Sequence, residues 1–537
     1  MMKIKTLLTL LLLGAIFTLS AQDRYINAIY SDDDIIVQKN VIFGANWNPY
    51  LDPALVGGQT QVQPLMCDVY MPDTLVDSDV DRPVVVYLHT GSFLPPSITN
   101  GCTGTKEDSS AVAICRRFAR HGFVAVSATY RLGWLANSTD LDLRRGTNLV
   151  AVYYAIQDAK ALVRYLNASK LGLGNPYGID PSKTILLGQG SGGYTTFGYA
   201  TIDNYNEVAN PTKFQYQSSV GVFGQPVSPG DPYIDTALFG DWDGFGGKAS
   251  IIGQNPFGLP IIDTTVYGRN IENHVGLPDD VLMVANLGGA LGDSAWLEAG
   301  DVPMVSLHSK FDFFAPYEEG MVQVPVGQQF FPVVYVQGSH WAITRANALG
   351  NNDIFLNAGY TDALWTKGIN NQYNTNMAPG IYTLNIEPND PNQPWVNNSG
   401  PWDYWDSTST CVNAGNPNDY MQSKSYIDTA FNYILPRMLT VLEDAGLPIG
   451  VEEIQLSANA VKIYPNPASS TLTIELTSEG QKLEKVEAID MTGKIIYSME
   501  VSNSLETKIN VSDWSSGIYM IRAYSDKGAS VHKISVQ

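Results

Sequence analysis

The sequence predicts an α/β protein: a doubly wound, mostly parallel sheet with long insertions, followed by a small C-terminal β-sandwich. Three observations carry that expectation. Continuous apolar runs such as RPVVVYLH (82–89) alternate with helical patterns from about 84 to 187. Strands buried on both faces and separated by helices make a parallel sheet. Two stretches rich in Gly, Pro, Asn, Asp and Trp, 224–300 and 342–425, break the alternation and read as insertions of the kind that form lids or binding loops. After Gly446 the texture changes to six or seven short alternating strands.

Each element follows in chain order. MMKIK, an apolar run from Thr6 to Leu19 and the small residues Ser20 and Ala21 have the pattern of a secretory signal peptide, residues 1–21, which implies export. The main domain is expected over 22–446. RPVVVYLH opens its sheet, residues 111–121 have helical spacing, and GFVAVSATY (122–130) is a second strand. A longer helix covers 148–167, and KTILLG (183–188) is the third strand. VPMVSLH (302–308) and FPVVYV (331–336) are two late strands of the same sheet. Tyr426 to Ala445 is a final amphipathic helix interrupted by Pro436. Residues 447–458 read as a linker, and 459–537 as the sandwich.

Composition narrows the function classes. The formal net charge of −21 repels phosphate backbones and anionic lipid, so nucleic acid is not an expected partner. Four cysteines in an exported chain favour pairing. Cys102 and Cys115 flank one loop-to-helix segment and are the expected disulfide, while Cys67 and Cys411 either pair or stay buried and free. The DWDG stretch (241–244) lacks the remaining ligands of a calcium loop, and the Gly-rich GQGSGG (188–193) lacks the P-loop lysine and the dinucleotide spacing. No metal or cofactor is expected.

Five stretches, in order, resemble the α/β-hydrolase fold, specifically carboxylesterases. They are DVYMP (68–72), VVVYLHTGSF (84–93), YRLGW (130–134), AIQDAKALVRYL (155–166) and YGIDPSKTILLGQGSGG (177–193). The tail resembles the sorting domain of type IX secretion substrates through YPNPA (464–468), DMTGK (490–494), GIY (517–519) and the terminal KISVQ. That second resemblance implies export across the outer membrane, release or surface attachment, and the type IX machinery as a partner.

The hydrolase resemblance implies a nucleophile raised on a strand-to-helix turn, followed in the chain by an acid and then a histidine. Strand 302–308 leads into HSKFDFFAPY, which makes Asp312 the expected acid. Strand 331–336 leads into QGSHW, which makes His340 the expected base. Backbone N–H groups of Gly91, Ser92 and Gly192 are the expected oxyanion donors. The elbow raises a conflict. The family's G-x-S-x-G-G maps onto Gly188-Gln189-Gly190-Ser191-Gly192-Gly193, so every glycine matches but the apex is Gly190. Either Ser191 is the nucleophile on an elbow shifted by one, or Gly190 is the apex and no nucleophile is present. The pairing of Asp312 with His340 leads to the first as the working expectation: an exported carboxylesterase-like serine hydrolase using Ser191, His340 and Asp312. Its substrate would be a small ester, an acylated glycan, a lipid or a polyester. The alternative is a silent hydrolase fold serving as a secreted or surface binding protein. A peptidase of the same fold is a weaker third, since 130–134 and 177–193 look esterase-like.

Overall fold

The structure is a computed structural model and describes residues 24–50, 62–99, 102–326, 329–388, 399–404, 420–447, 461–477, 482–490, 495–525 and 528–537. The expected signal peptide, most of the expected linker and Cys411 lie outside the described residues. The chain divides into two compact units, Asp23–Ile449 and Gly450–Gln537.

In the larger unit the strands are β1 (Ile35–Trp47), β2 (Val62–Pro72), β3 (Arg82–Leu88), β4 (Val124–Ala128), β5 (Ile179–Gln189), β6 (Ile251–Gln254), β7 (Pro260–Ile262), β8 (Met283–Leu287), β9 (Ala290–Leu291), β10 (Met304–Ser309), β11 (Glu319–Val326), β12 (Gln329–Gly338) and β13 (Ile381–Leu384). Eight of them form the main sheet in the order β1-β2-β4-β3-β5-β8-β10-β13. β1, β2 and β4 pair antiparallel, and from β4 through β3, β5, β8 and β10 to β13 every pairing is parallel.

The apolar run at 82–88 shows why this sheet is central. Successive side chains of a strand face opposite ways. Val84, Val86 and Leu88 enter one buried cluster, Val85 and Tyr87 the other. One face is covered by the helices α2 (Leu141–Gly172) and α3 (Ser191–Thr201), the other by α1 (Ser109–Arg120) and α5 (Tyr420–Asp444). Asp140 caps α2 by accepting from the N–H groups of Asp142 and Leu143, which starts a 32-residue helix. Asp158 on α2 is fully buried and pairs with Arg131, Nη2 to Oδ1 at 2.8 Å and backbone N–H to Oδ2 at 2.8 Å. That pair fixes the segment carrying Tyr130.

Three expectations are corrected. β8 lies inside 224–300 and β13 inside 342–425, so each stretch read as an insertion supplies a strand of the main sheet. β12, read as the late main-sheet strand behind which His340 sits, belongs instead to a separate antiparallel sheet, β11-β12-β9. Cys115 is buried and free, as is Cys67, so the Cys102–Cys115 bridge is not formed. Cys102 is itself disulfide-bonded, to neither of them. Cys115 lies on the sheet-facing side of α1, among Ile114 and Phe118, where a small apolar side chain packs well.

The smaller unit holds β14 (Val461–Tyr464), β15 (Thr471–Leu476), β16 (Leu483–Ile489), β17 (Ile495–Ser504), β18 (Glu506–Asn510), β19 (Gly517–Ser525) and β20 (Gly528–Val536). They form a three-stranded sheet, β14-β15-β18, and a four-stranded sheet, β17-β16-β19-β20. Leu472, Ile474 and Ile509 of the first share one core with Val486, Ile521 and Ile534 of the second, as two sheets packed face to face require.

Candidate active site

β5 passes into α3 through one residue, Gly190, whose φ is 54° and ψ −114°. Residues with a Cβ rarely adopt that conformation. Gly190, not Ser191, is therefore the apex, and Ser191 is the first residue of the helix. The flanking glycines are needed for close approach: a methyl on Gly188 would strike the carbonyl of Gly192, one on Gly192 the carbonyl of Leu88, and one on Gly193 would lie 2.6 Å from Asn286 Oδ1. The space a side chain at 190 would fill is taken by Thr90, whose hydroxyl occupies it and whose Cβ lies 3.1 Å from a built Cβ. Thr90 stands where the family resemblance puts the first of three glycines. Gln189, sterically awkward on the sequence reading, turns away from the apex. Its Nε2 donates to Asp403 Oδ1 (2.6 Å) and its Oε1 accepts from Ser110 Oγ (3.2 Å) and the Tyr87 hydroxyl.

Ser191 is buried at 5% exposure and lines a cavity beside the β5–α3 turn. Its Oγ lies 2.9 Å from the Tyr130 hydroxyl, which donates to the His89 carbonyl at 2.7 Å. With the Tyr130 proton so committed, Ser191 donates to the phenol oxygen. Burial pushes the Tyr130 phenol well above its ordinary value, and a phenol of that kind is no acceptor for a serine proton near neutral pH. The His89 ring stacks on Tyr130 with centroids 4.5 Å apart, and burial pushes it down to about 4.

Asp312 lies in the turn after β10 and lines the same cavity. Its Oδ1 accepts from the N–H groups of Phe314 (2.8 Å) and Ala315 (3.1 Å), and Oδ2 is 3.5 Å from His308 Nε2. His340 is elsewhere. It is the second residue of α4 (Ser339–Leu349), with Nδ1 2.6 Å from Glu318 Oε2 and Nε2 3.1 Å from Asn374 Oδ1. Asn374 Oδ1 also accepts from the Ala378 N–H, so it faces His340 as an acceptor. His340 does not line the cavity. The expected triad is thus not assembled: Asp312 and Ser191 share a cavity, while His340 holds neither. A general base must lie within hydrogen-bond reach of its proton. The strand beside β10 is β13, and the segment after it brings Ser399, Gly400 and Asp403 to the cavity wall where a histidine was expected.

Of the expected oxyanion donors, Gly192 is corrected, because its N–H donates to the His89 carbonyl at 3.1 Å. The N–H groups of Gly91 and Ser92, and that of Ser191, have no acceptor among the described residues. Gly91, Ser92 and Phe93 have φ of 124°, 55° and 57°. Two of these are non-glycine residues in the left-handed region, at a cost of about 1–3 kcal/mol each. Their carbonyls hold them there, accepting from Leu94 N–H (2.9 Å), Trp134 Nε1 (2.8 Å) and Gly133 N–H (2.8 Å).

The cavity has a volume of about 480 Å³, within the range of small-molecule sites. The β11–β12 hairpin gives it a valine wall of Val322, Val324, Val333, Val334 and Val336. Asp403, which burial pushes up to about 6, lies at its edge next to Asp108, pushed up to about 7. Among the described residues no group of three or more His, Cys, Asp or Glu is arranged to hold a metal. Asp243 of the DWDG turn pairs with Lys160 Nζ at 2.7 Å. Sequence reasoning missed Thr90, Tyr130 and Asp403. The change from Gly to Thr in HTGS was the available signal for the first, and Asp403 had none.

Comparison with known proteins adds the following. Thermogutta terrifontis esterase 2 in its apo form is similar at 14% identity and a TM-score of 0.28, over 54% of this chain and 76% of that one. The native form of the same esterase is similar at 11% identity and 0.33, over 76% and 95%. The butyrate-bound form is similar at 11% and 0.34, over 75% and 95%. No curated protein matches the chain. Among the described residues no helix is long and apolar enough to cross a membrane. Residues 462–537 match the family described as the secretion system C-terminal sorting domain, so this chain ends in a domain that marks it for secretion.

Proposed function

We propose that the chain is an exported binding protein on an α/β-hydrolase scaffold, holding a small ligand in its cavity without turning it over. One observation carries the reading: the nucleophile apex is Gly190, with Thr90 filling the space of the missing side chain. The remaining chemistry agrees with it. Ser191 only donates a hydrogen bond to a buried neutral phenol that takes no proton from it, and both ring nitrogens of His340 face groups other than Ser191 and Asp312. Export would follow the type IX route implied by the tail.

The competing reading is an esterase using Ser191. It is favoured by the presence of Ser191 and Asp312 in one cavity. Labelling the purified protein with a serine-directed phosphonate, alongside assays on short chromogenic esters, separates the two. The binding reading expects no adduct and no hydrolysis from folded protein. An adduct on Ser191 that disappears in both Ser191→Ala and His340→Ala would establish the esterase.

A further inference from the structure

Two polar features of the cavity lack hydrogen-bond partners among the described residues. The first is Asp312 Oδ2. The side chain is 2% exposed, it lines the cavity, and no hydrogen-bond donor among the described residues serves that oxygen. His308 Nε2, 3.5 Å away, is closer to the Ala315 carbonyl at 3.1 Å. That oxygen opens on the cavity, where a donor on a bound molecule can reach it and make a charge-assisted hydrogen bond. The second is the set of N–H groups of Gly91, Ser92 and Ser191, which have no acceptor among the described residues. Consecutive left-handed residues turn such groups into a concave cradle for an oxygen.

A head group that satisfies both must accept at one atom and donate at another. A carboxylate accepts only, and Asp312 repels it. An ester accepts but cannot donate. An amine donates but leaves the N–H groups unmet. We infer that the cavity selects an uncharged amide with an apolar chain: the amide oxygen accepts from the backbone cradle, its N–H donates to Asp312 Oδ2, and the chain lies along the valine wall. The inference rests on the binding reading above and names the ligand class of that site.

The test is calorimetric titration of the whole exported chain with a set sharing one chain length: N-methyloctanamide, methyl octanoate, octanoate, octylamine and octanol. The amide is expected to bind tightest, by about tenfold or more over each of the others, the factor a hydrogen bond to a charged group supplies. Asp312→Asn is expected to shrink the amide-to-ester ratio to about threefold or less and to strengthen octanoate. The wild-type contrasts decide the matter if that variant does not fold. Equal affinity for amide and ester, an alcohol as tight as the amide, or no binding of the amide by folded protein would each overturn the inference. Octanoate released from the methyl ester would overturn the binding reading beneath it, a failure read separately from the affinities.

Discussion

Placing an alanine at position 190 tests the apex directly. Two terms add in Gly190→Ala. A Cβ at φ 54° and ψ −114° costs about 1–3 kcal/mol in backbone strain. The same Cβ meets the Thr90 hydroxyl and lies 3.1 Å from Thr90 Cβ, an overpacking term of about 1–3 kcal/mol. Thr90 is β-branched and stiff, so it yields little. The expected loss is about 2–6 kcal/mol. Thr90→Gly removes the second term but not the first. The double variant should therefore be more stable than the sum of the single losses predicts, by about 1–3 kcal/mol. Guanidinium denaturation followed by tryptophan fluorescence reads the larger unit, because all but one of the ten tryptophans precede residue 450. A Gly190→Ala variant within about 0.5 kcal/mol of wild type would refute the left-handed apex, since surface-like tolerance is incompatible with both terms. Strict additivity in the cycle would refute the Thr90 contact while leaving the backbone argument intact.

Three further outcomes are expected. Asp403 is held above its ordinary 3.8, at about 6, by burial, so the folded state binds its proton more tightly than the unfolded state does. Its stabilising contribution is complete below about pH 4 and is lost as pH rises through 6; Asp403→Asn keeps an oxygen for Gln189 and Ser110. That variant should gain up to about 3 kcal/mol over wild type at pH 8 and almost nothing at pH 4, read from urea midpoints across pH. His340→Ala removes the hydrogen bonds to the partly exposed Glu318 and the buried Asn374 and should cost about 1–3 kcal/mol in thermal melts, yet leave cavity affinity unchanged in titration calorimetry. Cys67 and Cys115, buried at 0% and 1% with thiols that burial pushes up, should resist iodoacetamide in the native protein and react once it is unfolded, as mass spectrometry would show.

How much of this was legible in the chain depended on the range of the interaction. β3, β4 and β5 announced themselves because a strand buried on both faces is apolar at every position, and that is a local property. β8 (MVANL) and β13 (IYTL) are equally buried but only five and four residues long, set among Gly, Asn and Pro, so their surroundings masked them. The assignment of His340 failed for a different reason. FPVVYV is as apolar as any main-sheet strand, and periodicity says a run is buried without saying in which sheet. The glycine at the apex was readable from the spacing of GQGSGG. What fills the space above it was not, because Thr90 and Gly190 meet only when β3 and β5 pair.

That meeting works as a ratchet. A seryl side chain cannot stand at position 190 while Thr90 occupies its volume, and shortening residue 90 alone leaves a void with no compensating contact. Even both changes together would set a hydroxyl beside a segment, 399–404, that offers no imidazole. Each single change toward a serine at position 190 is therefore uphill, while the valine-lined wall, built by other strands, can vary without touching that lock.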